Sequence, residues 1–396
     1  DGLYKDYSRR FLMNSINLTS MLGVGLHNED EILIILQESF PIQIQSDAHE
    51  VKLYCHESHC ETDSYAIICK FRKAKGNLYS VETGPGFPKG YQKTLKKTIE
   101  INLKKDTKHI GNTIIFSRIP VENPYLCRDY FQILPLSDEE KKLYKHFMDF
   151  NPFRVKFKFY DSPNTSVRMS RCINKGNEIK LLLSLFLNTH ISTQYLKKTN
   201  FYISEGETDW ETSLEGLESM EKFTSKDYYS TDEYPHHSVQ LPEMFNSMFN
   251  RFYLLDSKLQ ERFLRAAYWF QHAGEVTNIS KSASFLALIS AIETMASDKS
   301  KLTECKECKN KAGATQQVRK FLEDNLQGEP QKIIKRMYNL RSNLTHGSKI
   351  LQVDSSNFMS MAPSSNEEFY DYNLTKKLTR TALINWLGDQ KNKNQP

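Results

Sequence analysis

The alternation of apolar and polar positions predicts strands over most of residues 29–204. The clearest run is Arg154–Phe159, in which Val155, Phe157 and Phe159 lie on one face and basic residues on the other. Further runs predicted as strands are Glu31–Leu36, His49–Tyr54, Tyr65–Cys69 and Asn112–Phe116. Regularly spaced short strands of this kind are typical of an antiparallel sandwich or a barrel-like domain.

From Leu241 onward the apolar spacing becomes helical. Leu259, Phe263, Ala266 and Phe270 fall on one helical stripe. Further helices are predicted over about residues 283–296, 315–325, 331–346 and 374–387. A glycine at position 347 follows the last apolar position of the fourth helix, where glycine commonly ends a helix. The pattern predicts an up-and-down helical bundle.

The segment between these two patterns is acidic. Residues 205–233 contain ten Asp and Glu but only two Lys, with Ser, Thr and Gly interspersed, which indicates an exposed connector. We therefore divide the chain into a β-rich sensing or binding domain at 1–204, an acidic linker at 205–240 and a helical bundle at 241–396. The expected fold class is α+β, and 396 residues are enough for two or three domains.

The composition of the chain bears on its membrane contact, its location and the charge of its partners. No apolar run reaches the length of a membrane-spanning helix, and the first residues do not resemble a secretion signal, so we expect no membrane contact. Seven scattered cysteines favour reduced thiols and a cytoplasmic location. Residues 241–396 hold 22 Lys and Arg against 16 Asp and Glu, a net charge of +6, which permits a phosphate-bearing partner.

Arg341 and His346 are the strongest candidates for chemistry. They lie late on a predicted amphipathic helix with four residues between them. An imidazole titrates near neutral pH and suits general acid or base catalysis, whereas a guanidinium offers a planar fork of donors to phosphate oxygens. The alternative interpretation is a solvated helix face on which His346 serves only as a C-terminal cap.

The segment Met337–Gly347 resembles the R-x4-6-H motif of HEPN domains. The resemblance covers roughly residues 241–388 and includes Ala291-Ile292-Glu293 on the second helix and the Cys305–Cys308 insertion before the third. The first helix agrees as well, through Arg262, Arg265, Trp269 and Phe270. Together these features are most similar to the HEPN domain of ApeA-type anti-phage proteins.

The resemblance implies a metal-independent endoribonuclease with Arg341 and His346 as its catalytic pair. RNA carries its own nucleophile, the 2′-hydroxyl, and its attack would leave a 2′,3′-cyclic phosphate. Supporting roles would fall to Glu293, which would hold Arg341, and to Ser342 or Asn343, which would orient His346 or the substrate. Tyr338, one turn before Arg341, is a further candidate, although Tyr338 and Glu293 also have purely structural interpretations.

The resemblance also implies partners and a biological setting. HEPN domains commonly pair, so we expect a homodimer with a composite site and RNA as the substrate. Antiviral defence by abortive infection is implied, with the N-terminal domain sensing a phage-derived or cellular trigger. Two alternatives stay open. One is a catalytically inactive HEPN module that dimerises or binds nucleic acid. The other is the toxin of a toxin–antitoxin pair, silenced by a partner or by nucleotide transfer that would add mass to Tyr338.

The cysteine-rich segments raise the question of zinc, although the expected chemistry requires no cofactor. Cys305 and Cys308 form one C-x2-C pair, whereas a structural zinc site needs about four ligands. His236, His237 or a second copy of the chain would have to complete such a site, and a pair of reduced thiols is the alternative. Two Cys and two His within Cys55–Cys60 lie too close in sequence for all four to converge on one ion.

Overall fold

The computed structural model shows an α+β protein. It describes residues 27–54, 66–72, 78–84, 87–127, 130–144, 150–187, 189–192, 201–204, 220–230, 237–296, 314–326, 331–351, 354 and 363–390. Antiparallel sheets in the N-terminal part precede the C-terminal helices, which confirms the predicted fold class. The chain divides into two compact units, residues 1–110 with 159–174 and residues 111–158 with 175–396.

The first unit is built on a four-stranded antiparallel sheet whose strands pair in sequence order. They are β1 (Ile42–Asp47), β2 (Glu50–Tyr54), β3 (Ala66–Phe71) and β4 (Leu78–Thr83). Helices α1 (His27–Ser39) and α2 (Lys89–Leu103) share one apolar core with this sheet. The predicted strands at His49–Tyr54 and Tyr65–Cys69 are thus confirmed as β2 and β3.

The prediction of a strand at Glu31–Leu36 is wrong, because these residues lie within α1. A short apolar run does not by itself distinguish a strand from a buried helix. Ile32, Ile35 and Leu36 have the helical spacing that brings all three into the core. Glu31 is also buried, and its carboxylate accepts hydrogen bonds from the Arg171 guanidinium, so the helix carries a polar anchor.

A second sheet has six strands in an open order. They are β5 (Lys108–Ser117), β6 (Tyr125–Cys127), β7 (Phe131–Pro135), β8 (Asn151–Tyr160), β9 (Ile191–Ser192) and β10 (Phe201–Ile203). The strand order is β10-β5-β8-β7-β6, and β9 pairs with β5 as well. The alternation predicted for Arg154–Phe159 is confirmed in β8, where Val155, Phe157 and Phe159 are buried. Among the described strands the sheet has two free ends, so it does not close into a barrel.

The N-terminal half is less purely β than its sequence pattern indicates. It also contains α3 (Asp138–Leu143) and α4 (Thr165–Phe186), and α4 takes up the apolar run that begins at Leu181. The described part of the predicted acidic linker holds β11 (Lys222–Phe223) and α5 (Ser225–Ser230). β11 pairs in parallel with β12 (Leu241–Pro242), and Tyr228 of α5 is fully buried. Residues 220–230 thus include a paired strand and a buried side chain, and the acidic linker as a whole stays a prediction.

The C-terminal helices surround one apolar helix. They are α6 (Phe245–Leu254), α7 (Ser257–Val276), α8 (Lys281–Ala296), α9 (Ala314–Asn325), α10 (Gln331–Thr345) and α11 (Pro363–Asp389). α8 contacts α7, α9, α10 and α11, and its apolar residues are not confined to one face, as expected of a buried helix. The five predicted helices are confirmed as α7 to α11, although α11 begins earlier than its apolar spacing indicates.

The compact units follow a different division from the sequence ranges. Residues 111–158 and 175–204 belong to the same unit as the C-terminal helices. The three ranges 1–204, 205–240 and 241–396 stay a prediction about which segments fold independently. Within the described part of the chain, no helix combines the length and the apolar character needed to cross a bilayer.

Candidate functional site

Helix α10 positions the Arg341 and His346 pair. Its buried positions Ile334, Met337 and Leu344 follow helical spacing and form the face that packs on the bundle. Because α10 contacts α8 through this face, residues at its edges can reach the side chains of α8 while staying partly in solvent. Arg341 occupies such an edge position.

The end of α10 is fixed by a Schellman turn. Gly347 adopts φ +70°, and its N–H donates to the Leu344 carbonyl at 3.2 Å, while the Ser348 N–H donates to the Asn343 carbonyl at 3.0 Å. His346 is therefore the C-cap residue, and its own N–H donates to the Ser342 carbonyl at 3.0 Å. Its backbone is held on both sides while its imidazole is exposed to solvent.

Arg341 is held by a carboxylate of the central helix. Its Nη2 lies 3.3 Å from Oε1 of Glu293, and the two side chains are 36% and 29% exposed. The predicted contact between Glu293 and Arg341 is thus present. A guanidinium carries five N–H donors, so one contact of this kind leaves most of the fork available for a phosphate.

Tyr338 lies one turn before Arg341, and its hydroxyl is buried. No described residue meets full hydrogen-bond geometry with this hydroxyl, although the carboxylate of Glu293 interacts with it. Burial raises the pKa of this phenol, and the negative charge of Glu293 raises it further, so the group stays protonated near neutral pH. The alternative in which a nucleotide is transferred to Tyr338 stays a prediction.

Ser342 and Asn343 contribute through their backbone. The Asn343 carbonyl accepts hydrogen bonds from the N–H and hydroxyl of Ser348 and from the N–H of Lys349. Within the described residues, no hydrogen bond joins the side chain of Ser342 or Asn343 to His346. The predicted orientation of His346 by one of these side chains is therefore not seen, and the Schellman turn provides the positioning.

Arg341 and His346 share a helix but do not stack on one face. Five residues correspond to about 140° of rotation and roughly 7.5 Å along a helix axis. No hydrogen bond joins the two side chains within the described residues. A substrate phosphate would have to bridge them, or a second copy of the chain would have to complete the site.

The described residues bring no three His, Cys, Asp or Glu side chains together as a candidate metal site. Cys305 and Cys308 lie outside the described residues, as do the cysteines and histidines of the Cys55–Cys60 segment. His237 is described and is exposed, whereas His236 is not described. The zinc hypothesis therefore stays a prediction.

A cation-rich cavity at the start of α8 has no counterpart in the sequence analysis. Arg118, His190, Lys281 and Lys376 line it from four separate segments of the chain. No local motif joins these residues, because more than 250 positions separate the first from the last. The excess of basic residues in the C-terminal part is consistent with such a cavity, but it does not identify the residues that line it.

Comparison of the chain with protein-family models, with curated proteins and with solved structures finds no match. The function has to be inferred from the chemistry of the site and from the resemblance of the Met337–Gly347 segment to the HEPN motif.

Proposed function

We propose that the chain is a metal-independent endoribonuclease in which His346 moves protons and Arg341 stabilises the phosphate. The observation that carries the proposal is the arrangement on α10. A guanidinium anchored by Glu293 precedes, by five residues, an exposed imidazole whose backbone is fixed by the Schellman turn. The histidine and the arginine supply the two functions that RNA cleavage requires from a protein, a titratable group and a permanent cation.

The reaction follows from the chemistry of RNA. A general base takes the proton of the 2′-hydroxyl, whose oxygen then forms a bond to phosphorus while the bond from phosphorus to the 5′-oxygen breaks. A general acid gives a proton to the departing 5′-oxygen, and the products are a 2′,3′-cyclic phosphate and a 5′-hydroxyl. Arg341 donates to the non-bridging oxygens as negative charge accumulates on them.

Two copies of the chain explain how a single histidine per chain serves both proton transfers. In a homodimer one His346 is the base and the His346 of the second copy is the acid, with an Arg341 beside each. This is the composite site implied by the resemblance to HEPN domains. We place the enzyme in the cytoplasm, with RNA as its partner and the N-terminal region as the sensor of a phage-derived or cellular trigger in abortive infection.

The proposal is tested by cleavage of mixed cellular RNA in EDTA, with analysis of the new ends. The wild-type protein should produce cyclic phosphate ends, and His346→Ala should reduce the rate by about a hundredfold or more, as loss of general acid–base catalysis does. His237→Ala is the matched control, because His237 is an exposed histidine in the same unit and should leave the rate unchanged.

An enzyme that waits for a trigger is distinguished by its effect in cells. Expression of the wild-type chain should then arrest growth on infection, and His346→Ala should abolish the arrest. RNA cleavage that needs a divalent metal, or that persists unchanged in His346→Ala, would contradict the proposal.

The alternative of a non-catalytic module that binds nucleic acid is favoured by one observation. Arg341 is already engaged by Glu293, and it forms no hydrogen bond with His346. In that case RNA binding would survive in His346→Ala, and neither protein would cleave RNA or arrest growth.

A further inference from the structure

A cavity of about 280 Å³ opens at the N-terminal end of α8. Its walls come from the residues that follow β5, the segment before β9, the end of α7, the start of α8 and the first half of α11. Among the described residues that line it, three are cations, Arg118, Lys281 and Lys376, and none is a carboxylate. Such a charge imbalance in a concave site favours an anionic ligand.

Among the described residues, the ammonium of Lys281 contacts a hydroxyl and an aromatic ring. Its Nζ donates to Oγ1 of Thr277 at 2.9 Å and lies 4.8 Å from the centre of the Tyr372 ring. Burial lowers the pKa of Lys281, and the positive charge of Arg118 lowers it further. The two cations therefore repel each other across a partly desolvated space, and a bound anion would relieve that repulsion.

The carboxylate of Asp354 interacts with Lys281 but is occupied by hydrogen bonds at the start of α8. The negative charge of Asp354 raises the pKa of Lys281. Its carboxylate accepts hydrogen bonds from the Ser280 hydroxyl at 2.9 Å and from the N–H groups of Lys281 and Ser282, both at 2.7 Å. It thereby caps the first turn of α8. The guanidinium of Arg118 is exposed and forms no hydrogen bond or ion pair within the described residues, so it is available to a ligand.

His190 adds an enclosed polar atom to the cavity wall. Its Nδ1 is buried without a hydrogen-bond partner among the described residues. Burial lowers the pKa of His190 to about 4, and the charges of Arg118, Lys376 and Lys180 contribute to the shift. The imidazole is therefore neutral near pH 7 and can form a hydrogen bond without adding charge.

An aromatic ring and two amides also line the cavity. Phe369 on α11 is 51% exposed, so its ring is accessible to a ligand in the cavity. Asn278 and Asn373 offer amide donors and acceptors near it. An exposed aromatic face next to amides suits a planar heterocycle, because bases stack on aromatic rings and present donors and acceptors at their edges.

We propose that this cavity binds a nucleoside monophosphate, with the phosphate held by Arg118, Lys281 and Lys376 and the base stacked on Phe369. The site is distinct from the Arg341 and His346 pair. Lys281 and Glu293 are twelve residues apart on α8, which corresponds to about 18 Å along the helix. The inference does not depend on ribonuclease activity, and its failure would leave the proposed function unaffected.

Calorimetric titration of the full chain tests the site. The probes are the four ribonucleoside 5′-monophosphates, each alone, with the unphosphorylated nucleosides and inorganic phosphate for comparison. At least one monophosphate should bind with one site per chain and more tightly than its nucleoside. Arg118→Gln and Lys281→Met should each weaken binding by about tenfold, the effect of losing one charge-assisted contact.

Lys320→Gln is the matched control for charge. Lys320 is an exposed lysine on α9 in the same unit, it does not line the cavity, and its replacement should leave the affinity unchanged. Phe369→Ala should weaken binding of the nucleotide but not of inorganic phosphate, which separates stacking from phosphate recognition. Because the Arg118 side chain is exposed and forms no bonds to the described residues, Arg118→Gln should fold normally, and its thermal unfolding checks this.

Three outcomes would overturn the proposal. The first is that none of the four monophosphates binds. The second is that Lys320→Gln weakens binding as much as Arg118→Gln does. The third is that a short oligoribonucleotide binds through Arg118 and Lys281 while no monophosphate binds. The last result would assign the cavity to an RNA strand instead of a small nucleotide.

Discussion

At the scale of single residues, the ion pair between Glu293 and Arg341 links the central helix to the candidate catalytic pair. Both side chains are about one-third exposed, so the pair contributes little to stability, about 1 kcal/mol or less. The function of this ion pair would be to orient the guanidinium of Arg341. We expect Glu293→Gln to leave the unfolding temperature nearly unchanged and to lower kcat for RNA cleavage by roughly tenfold, since a displaced catalytic group costs up to about a hundredfold.

The check on that expectation is steady-state cleavage of one oligoribonucleotide by Glu293→Gln, Glu293→Asp and Glu323→Gln. Glu323 forms a comparable exposed ion pair with Arg319, at 2.8 Å, and is the control. Partial rescue of kcat by the aspartate, which keeps the charge, would support a positioning role. Full activity of Glu293→Gln would show that Arg341 does not need this carboxylate.

His190 gives a second prediction at the residue scale, on pH and stability. Its pKa is lowered from 6.5 to about 4 in the folded chain, chiefly by burial. Between these values the unfolded chain binds more protons than the folded chain, so the free energy of unfolding falls as the pH falls. In chemical denaturation from pH 7 to pH 4, wild type should lose stability more steeply than His190→Gln. His237→Gln, which removes an exposed histidine, should follow wild type, and equal slopes for all three proteins would contradict the assignment.

At the scale of elements, the end of α10 depends on one backbone conformation. Gly347 has φ +70°, where a side chain is strained although a Cβ there would meet no atom within 4 Å. Gly347→Ala should therefore cost about 1 to 2 kcal/mol of stability through the backbone alone. Because the turn fixes His346, RNA cleavage should fall as well. Gly90→Ala also meets open space, but its φ lies outside this region, so it should cost nothing measurable by thermal unfolding.

The elements also show what the sequence could and could not predict. β8 and the helices α7, α9 and α10 have regularly spaced apolar residues, so local sequence is enough to predict them. The strand predicted at Glu31–Leu36 is wrong, because consecutive apolar residues are compatible with a strand or a helix, and only the packing of α1 decides between them. β11 and α5 are too short to show an apolar period, and one buried residue, Tyr228, anchors α5, so local sequence does not predict them.

Within the candidate site, too, the local features follow from sequence, whereas contacts between distant segments do not. Arg341, His346 and the cap at Gly347 lie within seven residues, so their arrangement follows from helix geometry and could be expected from sequence. The approach of Glu293 was predicted from the family resemblance and is present. The cavity formed by Arg118, His190, Lys281 and Lys376 could not be predicted, because contacts between distant segments exist only after folding.

At the scale of the whole molecule, each compact unit has its own anchors, and a buried ion pair is the clearest of them in the first unit. The Arg171 guanidinium donates to both carboxylate oxygens of Glu31, from Nε at 3.0 Å and from Nη2 at 2.7 Å. It also donates to the carbonyls of Asn102 and Lys104 at 3.1 and 2.9 Å, and to that of Asp161. One side chain on α4 thus joins α1, the end of α2 and the residue that follows β8.

Removal of that guanidinium should therefore destabilise the first unit and test whether the two units unfold separately. Arg171→Met keeps much of the apolar stem but leaves the buried carboxylate of Glu31 without its partner, which typically costs about 3 to 5 kcal/mol. Hydrogen exchange should show faster exchange in β2, β3 and α2, with no change in α8 if the units are independent. Arg168→Met, at a partly exposed pair with Asp161, should have a much smaller effect. Equal loss of protection in α8 would mean that the 396 residues unfold as one cooperative unit.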